Sequence, residues 1–251
     1  MRRLRDARRL TVLTGAGVSA ASGVPTFRGA DGLWRNVRPE DLATPGAFRR
    51  DPSLVWEWYR WRRAQIARCQ PNPAHRVIAE WSAREGCRVL TQNVDDLHVR
   101  AGTRRLVRLH GSIWELKCWD ECGHPVWRDE RLSPDEADHS CDTDTLRETA
   151  FGRSCPRCPA CGGLARPAVV WFGESLAAAD VETALAACDC DLFLTIGTSA
   201  IVHPAAGFVH EAARRGAFTA EINLDLTPVS SAVDLVIQGA AEDVLPTLAS
   251  T

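Results

Sequence analysis

Short apolar runs, each bounded by glycine or by polar turn residues, recur along the chain. Such runs are typical of strands buried on both faces of a parallel sheet. The segments between them carry apolar residues at helical spacing, which predicts helices between the strands. The predicted strands are residues 10–13, 87–90, 192–196 and 218–222, and the predicted helices are residues 73–84, 180–188 and 205–214. This alternation predicts an α/β fold with a doubly wound, mainly parallel, Rossmann-like sheet.

Two stretches interrupt this alternation, an aromatic and arginine-rich helical segment at 51–68 and a polar, cysteine-bearing segment from 118 to about 166. Each is expected to lie outside the sheet, in a smaller lobe. The chain is therefore predicted to contain a discontinuous sheet domain, a helical insertion and a cysteine-bearing module. The expected boundaries are 1–38, 86–117 and 167–251 for the sheet domain, 39–85 for the insertion and 118–166 for the module.

Length and charge narrow the class of protein. A chain of 251 residues fits one large domain with a smaller insertion. Its formal net charge of -2 provides no general attraction for nucleic acid or an anionic membrane. No apolar run approaches the roughly 20 residues of a membrane span, and no segment resembles a secretory signal. We therefore expect a cytoplasmic protein, with no membrane and no direct nucleic-acid partner.

The first predicted strand runs into a glycine loop, GAGVSA at 15–20. This matches the dinucleotide-binding pattern, in which glycines let the backbone approach a pyrophosphate. The pattern alone is weak, since a tight strand-to-helix turn is an equally good interpretation. Gly23 and Pro25 are expected to end the following helix after about two turns, and an acidic ribose ligand is missing at the usual spacing. These departures disfavour an ordinary NAD oxidoreductase.

The glycine loop continues as GAGVSAASGVPTFRG at 15–29, which resembles the signature of the sirtuins, the NAD-dependent protein lysine deacylases. Further sirtuin-like motifs follow in the family's order. They are TQNVD at 91–95, HGS at 110–112, VVWFGE at 169–174, GTS at 197–199 and IN at 222–223. The resemblance covers nearly the whole chain, and the ordered set of motifs is highly specific.

The resemblance implies that NAD is a co-substrate whose nicotinamide bond is broken, and that the acyl group of a modified lysine passes to ADP-ribose. It assigns catalytic roles to His110, as the general base that activates a ribose hydroxyl, and to Asn93. An imidazole suits this role because its unperturbed pKa lies near 6.5. Asn93 and Asp95 are also candidates for capping the helix that follows. The expected NAD-binding residues are Gly15, Ala16, Gly17, Ser19, Pro25, Thr26, Phe27, Arg28, Trp34, Gln92, Asn93, Asp95, Gly197, Thr198, Ser199, Asn223, Leu224, Asp225 and Ala241.

The clustered cysteines predict one structural zinc ion. Cys158 and Cys161 are separated by two residues and followed by two glycines, a typical zinc knuckle. Cys118 and Cys122, three residues apart, are the natural second pair, although the family more often has two intervening residues. Cys155 is a rival because it forms an equivalent knuckle with Cys158, and similarity to the family segment favours Cys161. Four thiolates leave no open position, so the ion is expected to be structural.

The helical segment at 51–68 indicates which acyl group is removed. Tyr59 and Arg62 are three residues apart, so on a helix they share a face and together can bind a carboxylate. This pair resembles the class III sirtuins, which remove succinyl, malonyl and related acidic groups, and the small Ala43 leaves room for a longer chain. The alternative is that the aromatic residues only pack and that Arg62 is a solvated charge. We predict activity on both acidic acyl groups and acetyl-lysine, with a preference for the acidic groups.

Acylated lysines of proteins are the expected partners. The peptide is expected to bind as an extended strand along Val170, Trp171, Phe172 and Gly173. The alternatives are a sirtuin-like protein that acts mainly as a deacetylase or ADP-ribosyltransferase, and a non-catalytic NAD binder. A zinc-bearing nucleic-acid module is disfavoured because acidic residues flank the cysteines.

Overall fold

The computed structural model describes residues 2–25, 38–129 and 155–250. The strands of these residues are β1 Leu10–Thr14, β2 Cys87–Thr91, β3 Leu106–Arg108, β4 Gly111–Cys118, β5 Trp127–Arg128, β6 Ala165–Val169, β7 Leu192–Ile196, β8 Phe218–Asn223 and β9 Leu235–Gln238. The helices are α1 Arg2–Asp6, α2 Gly17–Ala20, α3 Pro39–Leu42, α4 Pro45–Arg50, α5 Pro52–Ala67, α6 Pro73–Ser82, α7 Leu97–Arg100, α8 Ala178–Ala187, α9 Phe208–Arg214 and α10 Ala241–Ala249.

Six strands form one parallel sheet in the order β3-β2-β1-β7-β8-β9. The predicted fold class and all four strands of the sequence analysis are confirmed. The two edge strands, β3 and β9, were not among the predicted strands, because their apolar runs are only two and three residues long. β1 lies between β2 and β7, so the strand order reverses beside β1. In open α/β sheets, ligands bind at the carboxyl ends of the strands at such a switch point.

Helices cover both faces of the parallel sheet. Apolar side chains of α6 and α10 pack on one face, whereas α8 and α9 pack on the other. Neighbouring strand residues point to opposite faces, as Leu192 and Phe193 of β7 do. None of the helices in residues 2–25, 38–129 and 155–250 is both long and apolar enough to cross a membrane.

A smaller lobe contains a three-stranded antiparallel sheet, in the order β5-β4-β6, and the helix α5. Asp51 is the N-cap of α5, and its carboxylate accepts a hydrogen bond of 2.9 Å from the amide of Leu54. Its tryptophans pack against Trp114 of β4 and Trp171 in one core. The helix predicted at 51–68 is therefore present.

The contacts of α6 and β4 favour different positions for the two predicted domain boundaries at 85 and 118. α6 contacts the parallel sheet and α10, and β4 pairs with β6 of the small sheet. We therefore propose that the helical insertion ends before α6 and that the small lobe starts with β4, so that the proposed boundaries lie earlier in the chain than 85 and 118.

Candidate active site

The glycine loop packs directly against the loop that follows β7. The amide of Gly17 donates to the carbonyl of Gly197 at 2.8 Å. A Cβ atom at Gly15 would lie 2.7 Å from the Cα of Thr198, and one at Gly17 would lie 2.8 Å from the Gly197 oxygen. Both glycines are therefore required for the close approach of the two loops. The helix that follows, α2, is a single turn where two were expected.

A cavity of about 500 Å³ lies beside these loops, at the carboxyl ends of β1, β2 and β7. It is bounded on its other side by residues of α5 and of the segment after β6. The structure brings many of the sequence-predicted residues together here. Those that line the cavity are Gly15, Ala16, Gly17, Ser19, Pro25, Ala43, Tyr59, Arg62, Gln92, Asn93, Asp95, His110, Val170, Trp171, Phe172, Gly173, Gly197, Thr198 and Ser199.

Four predicted NAD-binding residues lie elsewhere among the described residues: Asn223, Leu224, Asp225 and Ala241 do not line this cavity. Asn223 is close to it, since its amide group donates to the Thr198 carbonyl at 2.8 Å. Thr26, Phe27, Arg28 and Trp34 lie outside the described residues.

Sequence reasoning missed several residues that line the cavity. They are Val24, Val94, Val169, Glu174, Leu176, Val202 and His203. The first four stand inside the recognised motifs, so their positions could have been found there. The last three carry no signal in the sequence pattern.

His110 lies at the cavity with one ring nitrogen held by the backbone. Its Nδ1 is 3.0 Å from the carbonyl oxygen of Gln92. Because a carbonyl only accepts, Nδ1 must carry the proton in this contact, which leaves Nε2 of a neutral ring as an acceptor. Burial lowers the pKa of His110 below its usual value, and the hydrogen bond with Gln92 opposes this. The ring is therefore neutral at physiological pH and able to take up a proton.

The side chains of Gln92 and Asn93 fix the loop after β2 to its neighbours. Gln92 donates from Nε2 to the hydroxyl of Thr198 at 2.9 Å. Asn93 donates from Nδ2 to the Gly15 carbonyl at 3.0 Å and to the Ser19 hydroxyl at 3.1 Å. These hydrogen bonds join the loops after β1, β2 and β7. The three loops are therefore held in fixed positions around the cavity.

Asp95 is buried at 4% exposure and burial raises its pKa. Its carboxylate accepts a hydrogen bond of 2.9 Å from the amide of Leu97, at the start of α7. The N-cap position of α7 is Asp96, so Asp95 binds the first amide of the helix from one residue before the cap, and it also lines the cavity. Asn93 instead directs its amide group towards Gly15 and Ser19.

Two buried histidines contact residues of the glycine loop and of β1 beside the cavity. His75 Nε2 is 3.3 Å from the Ser19 hydroxyl, and His98 Nε2 is 3.0 Å from the Thr14 hydroxyl. Their rings meet edge to face with centroids 4.9 Å apart. Burial lowers the pKa of His75 to about 4 and that of His98 to about 3. Two neutral imidazoles can pack in this way, whereas two imidazolium ions would repel each other.

The depressed pKa of His98 predicts a specific acid sensitivity. In the unfolded chain His98 takes up a proton below about pH 6.5, whereas the folded protein resists this down to about pH 3. Relative to a His98→Asn variant, the wild type should lose about 1.4 kcal/mol of unfolding free energy per pH unit across that window. Urea unfolding at several pH values measures this difference, and the exposed His210 provides the control variant His210→Asn. A difference that does not change with pH would contradict the assignment.

Tyr59 and Arg62 both reach the cavity from α5 and are 2% and 5% exposed. The predicted shared face is therefore present, and Arg62 is not a solvated charge. The Arg62 guanidinium stands over the ring of Trp58, with its carbon 5.3 Å from the ring centroid. Burial lowers the pKa of Arg62 from its ordinary value, and the nearby Tyr59 and Asp95 oppose this. A buried guanidinium beside a hydroxyl is suited to bind a carboxylate.

The segment 170–173, which follows β6, is hydrogen-bonded to two other parts of the cavity lining. The amide of Val170 donates to the His110 carbonyl at 3.0 Å, and the amide of Phe172 donates to the Ala43 carbonyl at 2.9 Å. Phe172 is 44% exposed. The segment is thus held beside His110 and Ala43, with one large apolar side chain at the surface.

Four cysteines of the small lobe converge away from the cavity. The Sγ atoms of Cys118, Cys122, Cys158 and Cys161 all lie within 4.8 Å of one another. Two of the distances, Cys118 to Cys161 and Cys122 to Cys158, are 3.6 Å. Four thiolates at the usual Zn–S length of about 2.3 Å, in a tetrahedron, are about 3.8 Å apart. The cluster therefore fits a structural zinc ion. Cys155 lies apart, with its sulfur 3.7 Å from the Ser53 hydroxyl.

Replacing one cysteine of the cluster should release the metal. We expect Cys161→Ser to lose most of its zinc and thermal stability, because three thiolates bind the ion less tightly and the knuckle loses its cross-link. Elemental analysis of purified protein measures the zinc content. Cys155→Ser is the matched control and should retain one ion per chain. Full zinc retention in Cys161→Ser would overturn the ligand set.

Comparisons with known proteins identify the family to which the chain belongs. A model described as the Sir2 family matches residues 15–204, and the chain belongs to this family. The sirtuin resemblance is thereby confirmed. The NAD-dependent protein deacylase 1 of Pseudomonas aeruginosa is 48% identical over 250 residues, which cover 98% of this chain and 94% of that protein. The NAD-dependent protein deacylase of Thermococcus kodakarensis is 41% identical over 247 residues, covering 98% of this chain and 91% of that protein.

Solved structures show the same similarity. The crystal structure of a complex between a Sir2 homologue and NAD matches with a TM-score of 0.86 and 39% identity, covering 99% of this chain and 91% of that one. A complex of Sir2 with a p53 peptide and NAD+ matches with a TM-score of 0.82 and 26% identity, covering 99% of this chain and 95% of that one.

Proposed function

We propose that the protein is an NAD-dependent protein lysine deacylase that prefers succinyl and malonyl groups and also accepts acetyl groups. The observation that carries this proposal is a single cavity that contains His110 and Asn93 as well as Tyr59 and Arg62. The Sir2 family membership and the named deacylase relatives support the reaction type. The buried Tyr59 and Arg62 support the acyl preference.

The loops after β1, β2 and β7 fit a dinucleotide. Their close packing at Gly15, Gly17 and Gly197 leaves backbone without side chains beside the cavity, as binding of a pyrophosphate requires. When bound, NAD supplies the nicotinamide–ribose bond that is broken and the ADP-ribose that receives the acyl group. In our proposal, Asn223, Leu224, Asp225 and Ala241 contact its adenosine half, beyond the cavity.

Gln92, Asn93 and Asp95 are proposed to surround the nicotinamide and its ribose. Asn93 and Gln92 are already oriented by hydrogen bonds to Gly15, Ser19 and Thr198, so they need little reorganisation when a ligand binds. Dipoles fixed in this way stabilise a positive charge that develops on the sugar. Asp95 adds a carboxylate whose burial strengthens that electrostatic effect.

His110 is proposed to act as the general base. Donation of Nδ1–H to the Gln92 carbonyl selects the tautomer with a lone pair on Nε2. With NAD bound, Nε2 would be placed to accept the proton of a ribose hydroxyl, so that this oxygen could attack the acyl carbon, whose bond to the lysine nitrogen is broken as the acyl group passes to ADP-ribose. The backbone contact also fixes the ring plane, which keeps the acceptor in one orientation.

The acyl-lysine is proposed to enter beside the segment 170–173 and to direct its acyl chain past Ala43 towards α5. A succinyl or malonyl group ends in a carboxylate, which the Arg62 guanidinium and the Tyr59 hydroxyl are placed to bind. An acetyl group lacks that carboxylate and gains nothing from either side chain. The backbone of the peptide pairs with this segment as an added strand, which reads little sequence.

The test of this function follows both products of the reaction. Purified protein is incubated with NAD and with acetyl-lysine or succinyl-lysine peptides of one sequence, and mass spectrometry monitors nicotinamide and acyl-ADP-ribose. We expect both products with either peptide, and faster with the succinyl peptide. Faster reaction with the acetyl peptide would refute the acyl preference. NADH formation, ADP-ribose attached to protein, or NAD binding without turnover would refute the deacylase itself.

A further inference from the structure

Trp171 donates a hydrogen bond to Tyr59, one of the two residues proposed to bind the acyl carboxylate. Its indole Nε1 lies 2.7 Å from the hydroxyl oxygen of Tyr59, and both side chains are buried. An indole nitrogen only donates hydrogen bonds, so the Tyr59 oxygen must accept here. The hydroxyl proton of Tyr59 must therefore point away from Trp171. Among the described residues, no acceptor for that proton is found, and Tyr59 lines the cavity.

An ion pair between the buried Arg166 and the partly buried Glu174 keeps the Trp171 ring in place. The Arg166 guanidinium carbon lies 3.3 Å from the Trp171 ring centroid. Glu174 binds Arg166 through both carboxylate oxygens, with one contact of 2.9 Å, and accepts a hydrogen bond of 2.8 Å from the Trp171 amide. The Arg166 guanidinium thus covers one face of the Trp171 ring, while Glu174, its ion-pair partner, holds the backbone amide of Trp171. Little rotation of the indole is possible in this setting.

We propose that Trp171 is a positioning residue for acyl selectivity, because its indole N–H directs the Tyr59 hydroxyl proton towards the carboxylate of an acidic acyl group. This inference rests on the proposed function and goes beyond it, since it assigns the orientation of Tyr59 to a residue 112 positions away in sequence. Trp171 acts on the acyl group through Tyr59. Arg166 and Glu174 keep the indole N–H of Trp171, the hydrogen-bond donor, in position.

The electrostatics of Tyr59 agree with a donating role. Burial raises the pKa of Tyr59 to about 12, an effect that the Trp171 hydrogen bond opposes. The hydroxyl therefore keeps its proton at physiological pH. A hydroxyl that accepts one hydrogen bond becomes a stronger donor in the next, because the two bonds polarise each other. The contact with Trp171 consequently both orients and strengthens the hydrogen bond available to a carboxylate.

The experiment removes the indole N–H. In Trp171→Phe we expect the ratio of succinyl to acetyl kcat/KM to fall by about fivefold, the size expected for loss of one hydrogen bond. Trp56→Phe is the matched control, because Trp56 is also buried and donates its indole N–H to a backbone carbonyl, that of Ala165, at 2.9 Å. Its ratio should stay at the wild-type value. Should Trp171→Phe fail to fold, β-(3-benzothienyl)alanine at 171 keeps the shape of tryptophan and removes only the N–H.

A double-mutant cycle separates orientation of Tyr59 from a general loss of packing. If Trp171 acts through the hydroxyl, Trp171→Phe should leave the ratio unchanged in a Tyr59→Phe background. Two outcomes would overturn the inference and leave the proposed function standing. In the first, Trp171→Phe lowers the ratio equally in both backgrounds. In the second, Tyr59→Phe lowers the ratio and Trp171→Phe does not. If Tyr59→Phe itself does not lower the ratio, the acyl-site assignment fails, and the inference fails with it.

Discussion

Replacing His110 with alanine is expected to lower kcat for deacylation by about 10²- to 10⁴-fold, the contribution typical of a positioned general base. The Nδ1 contact with the Gln92 carbonyl leaves Nε2 to accept the proton, and alanine supplies no acceptor. Steady-state kinetics with NAD and a succinyl-lysine peptide measure the loss. Binding of NAD should be retained, because the loops that fit a dinucleotide do not depend on the imidazole.

His203→Ala is the control for this prediction, since His203 also lines the cavity. It should lose far less activity, because its imidazole belongs to none of the motifs that carry the chemistry. An equal loss in the two variants would move the base assignment away from His110. The pH profile gives an independent check. Burial lowers the pKa of His110, so the acid limb of kcat/KM should lie below pH 6.5.

Arg62→Met is expected to abolish the preference for acidic acyl groups. The wild-type guanidinium is buried, and methionine fills similar space without a charge or a donor. A hydrogen bond to a charged group contributes about 1.5–3 kcal/mol, so the ratio of succinyl to acetyl kcat/KM should fall by about 10- to 100-fold. Kinetics on matched peptides that differ only in the acyl group measure this ratio.

Arg60→Met controls for the loss of a buried arginine from the same helix. Arg60 is 9% exposed and its guanidinium stands 5.9 Å from the Trp56 ring, but it does not line the cavity. Its substitution is expected to lower stability and to leave the acyl ratio near the wild-type value. If Arg62→Met reduced both deacylations equally, Arg62 would be a packing residue and the acidic acyl pocket would have to be abandoned.

The two cysteine knuckles illustrate what spacing can and cannot resolve. Ligand spacing favoured a four-thiolate site, because two residues between cysteines let both sulfurs reach one ion. Spacing left Cys155 and Cys161 as rivals, since each forms such a pair with Cys158. The fold brings the Cys161 sulfur to Cys118 and places that of Cys155 beside Ser53. That choice depends on how β4 and β6 pair, and the spacing alone carries no information on it; only similarity to the family segment favoured Cys161.

The small antiparallel sheet escaped prediction for a related reason. β4 pairs with β6 across more than 40 residues of chain, and β5 has only two residues. Pairing between distant strands depends on tertiary packing more than on intrinsic preference. The pair that we propose to bind the acyl carboxylate was easier to find, because Tyr59 and Arg62 lie on one helix and their spacing alone puts them on one face.

By itself, the sequence determined the parallel sheet, the glycine loop and the identity of the chemical groups. These features depend on local properties: apolar runs, the conformational freedom of glycine, and side chains that follow strand ends. Only the tertiary structure decided which groups face one cavity, that His110 presents Nε2, and that Trp171 donates to Tyr59. Each of these depends on contacts between different elements, 18 residues apart for His110 and Gln92 and 112 apart for Trp171 and Tyr59, and its geometry exists only after those elements have packed.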